Sequence, residues 1–289
     1  TPVTDGERVY AYFGNVGVFA FDMDGALAWE QRFEPAATRL GWGPAASPVL
    51  HDGTLFIVND NDAQSFVVAL DAATGEERWR VDRDEGSNWS TPFIWENKLR
   101  TEIITPGTHK NRAYDLDGKL LYQFGGNSSI TIATPYAKFG LLFVTSGYVG
   151  DRKKPMFAIR PGAKGDISLE SDEDKNEYVA WCQRRAGPYN PSTIVYGDLM
   201  YVLLDRGLVS CHEAKTGRHV YGPERIVPRG GAFTSSPWAY NGKVFFLDEN
   251  GVTYVLQAGR KFKLLRPNRL NAKEDMCMAT PAMAGDKLL

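Results

Sequence analysis

Apolar and polar residues alternate in short runs along the whole chain, and turn residues separate the runs. Examples are Phe66–Leu70 and Leu199–Leu204, which are rich in Val, Phe, Tyr and Leu. Runs of this length and composition, bounded by Gly, Pro, Asn and Asp, are typical of β-strands. The pattern therefore predicts an all-β chain built from many short antiparallel strands.

A first motif, Ser/Thr-Pro followed by a turn and one or two apolar residues, recurs along the chain. The proline and the first apolar residue are seven positions apart in every copy. Successive copies begin 43 to 46 residues apart, except for one interval of 58. A fixed period of this length indicates a repeat architecture. The copies are Thr1-Pro2, Ser47-Pro48, Thr91-Pro92, Thr134-Pro135, Ser236-Pro237 and Thr280-Pro281, with Ser192-Thr193 as a variant that lacks the proline.

A second motif is a glycine turn followed, four residues later, by an aromatic residue. Asp-Gly and Thr-Gly between apolar runs predict tight hairpins, because glycine adopts the positive φ that such turns need. We expect the aromatic side chain to lie between neighbouring sheets and to have a structural role. The pairs are Gly25 and Trp29, Gly75 and Trp79, Gly118 and Tyr122, and Gly217 and Tyr221.

One repeat therefore predicts a sheet of four antiparallel strands whose two apolar faces both need cover. Arranging such sheets radially buries both faces, which is the architecture of a β-propeller. We expect one domain, 1–289, with an acidic tract at 166–177 inside the insertion of the fourth blade, 161–180. The expected blades are 1–33, 42–84, 89–126, 133–187, 190–228 and 234–270, with a partial blade at 277–289.

With both motifs identified, the chain resembles the pyrroloquinoline-quinone-like (PQQ-like) repeat family. The segment Leu70–Trp79 matches in full the family pattern Leu-Asp-Ala-x-Thr-Gly-x-x-x-Trp, and the other repeats match it in part. This superfamily includes quinoprotein alcohol dehydrogenases and BamB-like outer-membrane assembly proteins. The resemblance implies an eight-bladed ring, of which this chain supplies six complete blades and part of another within a longer protein. It also implies a bacterial protein that is periplasmic or otherwise exported.

Composition and charge exclude several classes of protein. The net charge is −2 and the pI is about 6.1, so no basic field favours nucleic acid. No apolar run approaches the length of about 18 residues that a transmembrane helix needs. The three cysteines, Cys182, Cys211 and Cys277, are far apart and indicate neither a zinc site nor a disulfide framework. No catalytic motif of the common hydrolase, metalloprotease or phosphate-binding types is present, so we assign no catalytic residues.

The resemblance also raises the question of a cofactor. Family dehydrogenases hold PQQ over calcium in the central funnel, beside a carboxylate base and adjacent, disulfide-bonded cysteines. No two cysteines are adjacent in this chain, and no cluster of Asp, Asn and Glu suggests the oxygen ligands that calcium prefers. We therefore expect no metal site and no cofactor; PQQ and calcium remain an option that the residues do not support.

Candidate binding residues fall on two sets of loops that meet at one end of a propeller channel. These are the segments before each Ser/Thr-Pro motif and the turns between second and third strands. The alternative is that Trp42 and Trp89 pack between blades and that the polar residues serve turn geometry. The candidates are Trp42, Trp89, His109, Arg112, Tyr148, Tyr189, Asn190, Asp205 and Arg206.

Three functions are consistent with these features. The first is an exported, non-enzymatic scaffold that binds other proteins, which fits the fold resemblance and the lack of a catalytic motif. The second is a PQQ-dependent oxidoreductase-like protein. The third is a sensor domain that binds a small ligand or glycan through the aromatic rim.

Overall fold

The chain folds into a series of small antiparallel sheets that follow one another along the sequence. The computed structural model describes residues 1–228, 230–270, 276–285 and 287–289. Strands dominate, and a short 3-10 helix, Arg39–Gly41, lies between the first and second sheets.

The first three blades each contain four antiparallel strands in sequence order, and a fifth strand from a later insertion joins the sheet of blade 3. Blade 1 contains β1 (Val3–Thr4), β2 (Arg8–Phe13), β3 (Gly17–Asp22) and β4 (Leu27–Arg32). Blade 2 contains β5 (Val49–His51), β6 (Thr54–Asn59), β7 (Ser65–Asp71) and β8 (Glu77–Arg83). Blade 3 contains β9 (Phe93–Glu96), β10 (Thr101–Thr105), β11 (Asn111–Tyr114) and β12 (Leu120–Phe124).

The next three sheets repeat this arrangement, and a two-stranded sheet follows them. Blade 4 contains β13 (Tyr136–Lys138), β14 (Leu141–Thr145), β15 (Met156–Ile159) and, after the short strand β16 (Gly165–Asp166), β17 (Val179–Gln183). Blade 5 contains β18 (Ile194–Tyr196), β19 (Leu199–Leu204), β20 (Leu208–Glu213) and β21 (His219–Arg225). Blade 6 contains β22 (Trp238–Tyr240), β23 (Lys243–Leu247), β24 (Val252–Gln257) and β25 (Asn268–Arg269). The last sheet pairs β26 (Met283–Ala284) with β27 (Lys287–Leu288).

The predicted all-β propeller of four-stranded antiparallel blades is confirmed. First strands of successive blades contact one another, as β1 does with β5, β5 with β9 and β9 with β13. Equivalent strands approach each other only where blades converge, so the first strands lie nearest the axis. The second and third strands of each blade carry most of its buried side chains. The fourth strands β4, β8, β21 and β25 are largely exposed, whereas β17 in blade 4 is mostly buried. The number of blades in the whole ring stays a prediction.

Aromatic side chains close the seams between blades, as the sequence predicts. The indole N–H of Trp29 in blade 1 donates to the carbonyl of Ala72 in blade 2, at 3.0 Å. The indole N–H of Trp79 in blade 2 donates to Leu116 in blade 3, at 2.8 Å. Trp181 in blade 4 makes the same bond to Ala214 in blade 5, at 3.0 Å, although no glycine turn precedes it in the sequence. Each of these tryptophans therefore connects its own blade to the next.

The hydroxyl of the Ser/Thr-Pro motif has a role that the sequence did not reveal. The backbone N–H of Ser47 donates to the hydroxyl of Thr91 in the next blade, at 3.0 Å. The same bond runs from Thr134 to Ser192 (2.9 Å), from Ser192 to Ser236 (2.9 Å) and from Ser236 to Thr280 (2.8 Å). The motif thus links neighbouring blades near the axis, in addition to opening the first strand.

The insertion of blade 4 covers the outer edge of blade 3. Strand β16 pairs in parallel with β12, with Gly165 opposite Tyr122 and Asp166 opposite Gln123. Strand β12 reads Leu-Leu-Tyr-Gln-Phe and carries no charge, so its free edge would be open to pairing with another chain. The sequence predicts the insertion but not this contact.

Candidate functional site

The candidate residues lie at one end of the blades, called here the channel mouth. The channel mouth consists of the connections between blades and the turns between second and third strands. Because consecutive strands are antiparallel, both sets of loops emerge at the same end of each sheet. The turns between first and second strands and between third and fourth strands lie at the other end, called here the opposite face.

The connection between blades 1 and 2 reaches blade 4 at the channel mouth. Arg39 donates from Nη1 to the carbonyl oxygen of Ser129, at 3.3 Å, and its guanidinium carbon lies 5.6 Å from the ring centroid of Tyr148. The backbone N–H of Arg39 donates to Ser87 Oγ, at 2.9 Å. These contacts hold the loop across the mouth and place a cation against an aromatic ring.

Asp151 orders the loop that receives Arg39. Its Oδ2 accepts hydrogen bonds from Ser128 Oγ at 2.7 Å and from the backbone N–H of Ser129 at 2.5 Å. Burial alone would raise the pKa of this carboxyl, but these hydrogen bonds and the nearby Arg39 outweigh it, and the pKa lies below its ordinary value. The carboxylate is therefore ionised at neutral pH and fixes the carbonyl that Arg39 contacts.

Trp42 and Trp89 form a pair with different exposures. Their ring centroids are 5.5 Å apart, and Trp89 donates from Nε1 to the carbonyl of Gly43, at 2.6 Å. Trp89 is only 8% exposed and anchors the loop 39–43 through this bond, whereas Trp42 is 50% exposed. Leu40, two residues earlier, is 75% exposed and has a φ of 56°. The loop thus presents two large apolar side chains to solvent.

Four of the remaining candidates line one cleft beside this loop. Tyr189, Asn190, Asp205 and Arg206 border a cavity of about 700 Å³, together with Phe233 and Glu249. Tyr189 packs edge-on against Tyr148, with ring centroids 5.3 Å apart. Burial raises the pKa of Asp205, and Lys154, whose Nζ lies 3.7 Å from Asp205 Oδ2, opposes that shift. The cleft therefore combines an aromatic wall with polar groups of both charges.

His109 and Arg112 are not part of this cleft. Arg112 is 7% exposed and forms ion pairs with Asp84 and Glu85. The buried carboxylate of Glu85 also accepts the backbone N–H of His109, at 2.6 Å. Arg112 therefore stabilises its own turn, and the imidazole of His109 is exposed beside it.

A buried polar network beneath the channel mouth was missed by the sequence analysis. Arg83 donates from Nε and Nη2 to the two carboxylate oxygens of Asp60, at 2.8 and 3.0 Å, and both side chains are fully buried. Asn88 donates to Asp60 and, at 2.9 Å, to the carbonyl of Pro106. Burial raises the pKa of Asp60, and the adjacent guanidinium opposes that shift. The sequence contains a polar run at 59–62, between the second and third strands of blade 2, but only the fold identifies Arg83 as the partner of Asp60.

Potential metal ligands are dispersed among the described residues. Nowhere in 1–228, 230–270, 276–285 and 287–289 do three His, Cys, Asp or Glu side chains come together as a metal site. In the same part of the chain, no helix has the length and apolar character needed to cross a bilayer. Cys182 and Cys211 are buried free thiols, and burial raises the pKa of Cys182 to about 11 and that of Cys211 to about 12.

Comparisons with known proteins identify the repeat family and the fold. Residues 14–286 match a PQQ-like family model described as outer membrane protein assembly factor BamB. The structure is similar to the crystal structure of BamB from Moraxella catarrhalis, with a TM-score of 0.71 and 12% sequence identity over 99% of this chain and 79% of that chain. At this identity the likeness shows the fold alone. No curated protein matches the sequence.

Proposed function

Because the chain belongs to the BamB family of PQQ-like repeat proteins, we propose that it is an exported, non-enzymatic scaffold that holds another protein against its channel mouth. The exposed loop 39–43 is the observation that carries this proposal. Leu40 and Trp42 project into solvent there, beside the Arg39–Tyr148 contact. Aromatic residues and arginine are enriched at protein interfaces, and exposed apolar groups gathered in one place favour a partner.

The backbone of Leu40 supports the same proposal. A leucine with positive φ costs about 1 kcal/mol or more relative to ordinary backbone, and its exposed side chain recovers little of that by burial. The hydrogen bond from Arg39 N–H to Ser87 and the Trp89–Gly43 bond hold the loop in this shape. A preorganised apolar loop lowers the entropy cost of binding a partner.

Site-specific photo-crosslinking tests the scaffold proposal in the native cell envelope. A photoreactive phenylalanine analogue replaces Trp42 in one variant and Tyr240 in the control, which is 65% exposed on the opposite face of blade 6. We expect the Trp42 variant to give one discrete protein adduct, identified by mass spectrometry, and the Tyr240 variant to give none at that mass. Absence of any adduct from position 42, or the same adduct from both positions, would refute the proposal.

The cleft at Tyr189 favours a second candidate, binding of a small polar ligand such as a glycan. Its volume of about 700 Å³ suits a ligand of that size, and Tyr189 can stack on a sugar while Asn190 and Asp205 form hydrogen bonds. Calorimetric titration with a panel of oligosaccharides tests this candidate. We expect an oligosaccharide that binds the unmodified protein to lose its binding in Tyr189→Ala and to keep it in His109→Ala, because His109 lies outside the cleft.

The PQQ-dependent alternative draws no support from the described residues. Calcium needs several oxygen ligands, and the hydroxyls at the first strands already accept backbone N–H groups from neighbouring blades. We propose that the protein binds no quinone cofactor. Adding PQQ and Ca²⁺ is expected to leave its melting temperature unchanged and to give no protein-bound chromophore after gel filtration; a bound chromophore would overturn this.

A further inference from the structure

A second cleft lies at the opposite face, between blades 3 and 4. Its walls are the first turns of the two blades, 96–99 and 138–141, and Arg160 and Pro161 close one end. The cavity has a volume of about 830 Å³, and buried Trp95 lies in its lining. Because the two ends of a blade are separated by the length of its strands, this cleft is independent of the channel mouth.

The lining of the cleft is predominantly basic. Lys98, Lys138 and Arg160 are exposed members of its lining. Glu96 is the acid among the lining residues, and its Oε1 lies 3.5 Å from His51 Nδ1. Arg160 donates from Nη1 to two carbonyl oxygens of the insertion, Asn176 at 3.1 Å and Glu177 at 3.0 Å, which fixes its side chain without neutralising its charge.

An exposed aromatic residue, Phe139, lies between two lysine side chains at the edge of the cleft. Phe139 is 44% exposed and has a φ of 58°. Lys215 of blade 5 places Nζ 4.9 Å from the Phe139 ring centroid, and Lys138 places Nζ 5.7 Å from it. Leu99, on the other wall, is 60% exposed. One wall of the cleft therefore carries Lys98 and Leu99, and the other carries Lys138 and Phe139. Lys138 also donates from Nζ to the carbonyl oxygen of Val195 in blade 5, at 3.1 Å.

We propose that this basic, partly apolar cleft is a second docking site, which binds an extended acidic segment of a partner protein that also carries aromatic or aliphatic residues. Carboxylates of the segment pair with Lys98, Lys138 and Arg160, and its apolar side chains pack on Phe139 and Leu99. Charge complementarity of this kind steers association and selects the partner. With the channel mouth at one end and this cleft at the other, one molecule can hold two partners.

Fluorescence anisotropy with defined peptides tests the proposal on the intact protein. The probe is a labelled peptide rich in Glu and Phe, and the control probe is a peptide of the same length in which Lys replaces Glu. We expect the acidic peptide alone to bind, with an affinity that falls as salt increases. The variant Lys98→Glu/Lys138→Glu is expected to weaken binding about tenfold or more, since each reversal replaces an attraction with a repulsion.

A matched variant separates the cleft from general charge effects. Lys261→Glu/Lys263→Glu makes the same change in net charge at exposed positions of blade 6, in a turn that also lies at the opposite face. It is expected to leave the affinity unchanged. Phe139→Asn removes the aromatic ring while keeping a residue that tolerates positive φ, and it is expected to weaken binding without lowering the melting temperature.

Three outcomes would overturn the proposal. One is that the acidic peptide does not bind, and another is that both double variants weaken it equally. The third uses vesicles of anionic phospholipid as the probe: if they bind through Lys98 and Lys138 while the acidic peptide does not, the cleft is a membrane contact and not a protein-docking site.

Discussion

At the scale of single residues, the seams between blades depend on backbone that only glycine adopts easily. Gly75 has a φ of 78°, and a β-carbon built on it would lie 2.5 Å from the ring of Trp29. Gly118 and Gly217 meet Trp79 and Trp181 in the same way, at 2.8 and 2.6 Å. The glycine of the repeat motif therefore serves two purposes, since it forms the hairpin and lets the preceding blade's indole lie against the turn.

A pair of glycine variants separates these two effects. Gly75→Ala is expected to lower the free energy of unfolding by about 1 to 2 kcal/mol, because alanine disfavours the positive φ. Overlap of the added methyl group with Trp29 is expected to lower it by about 1 kcal/mol more. Gly53→Ala is the control, because Gly53 has a φ of 67° but no atom within 4 Å of the place where the alanine methyl would lie. Urea unfolding gives both values, and equal losses would show that the Trp29 contact is unimportant.

Acid stability near the first strand depends on Asp5. Its Oδ2 accepts a hydrogen bond from the Tyr10 hydroxyl, at 2.6 Å, and this contact is the main cause that lowers the pKa of Asp5 to about 2. A lowered carboxyl pKa stabilises the fold above the ordinary pKa, and that contribution is lost as the pH falls from about 4 toward 2. We expect Tyr10→Phe to move the pKa of Asp5 back toward its ordinary value in an NMR titration. Tyr12→Phe is the control, because the Tyr12 hydroxyl has no hydrogen-bond partner among the described residues. If Tyr10→Phe leaves the pKa of Asp5 unchanged, the Tyr10 hydrogen bond is not the cause of the lowered pKa.

At the scale of elements, the sequence predicts the structural features that recur from blade to blade, but it does not predict contacts between segments that are distant in the chain. Strands, hairpins and the sealing role of Trp29 and Trp79 follow from periodicity, and the PQQ-like resemblance is confirmed. The grouping of Tyr189 with Asp205 follows from antiparallel topology. The reach of Arg39 to blade 4, the burial of Arg112 and the pairing of β16 with β12 have no local signal, because each depends on residues from another blade.

The hydroxyl links near the axis give a prediction for these elements. Ser192→Ala removes the acceptor for the backbone N–H of Thr134 and leaves that partly buried donor unpaired. We expect a loss of about 1 to 2 kcal/mol in the free energy of unfolding by urea. Ser192→Thr is expected to be nearly neutral, since threonine has this role at Thr91 and Thr280. A threonine variant as unstable as the alanine variant would mean that packing, not the hydroxyl, is what matters.

At the scale of the whole molecule, the same small set of contacts is repeated from blade to blade. Buried side chains form clusters that each include neighbouring blades, such as the cluster containing Tyr10 and Leu55 of blades 1 and 2 and that containing Phe143 and Met200 of blades 4 and 5. In repeat proteins, stability is approximately a sum of units and nearest-neighbour interfaces. The two proposed binding surfaces lie on loops at either end of this framework, where residues are free to differ from blade to blade without loss of the fold.

This organisation predicts how seam variants combine. Trp29→Ala opens the seam between blades 1 and 2, and Trp181→Ala opens the seam between blades 4 and 5. Each is expected to cost about 2 to 4 kcal/mol in urea unfolding, and because the sites share no partner, the double variant should lose the sum of the two values. Trp29→Ala combined with Gly75→Ala should instead lose less than the sum, since the first change removes the ring that the added methyl would strike. Two results would show that the seams do not act as separate nearest-neighbour interfaces. One is strong coupling between Trp29→Ala and Trp181→Ala, and the other is strict additivity of Trp29→Ala and Gly75→Ala.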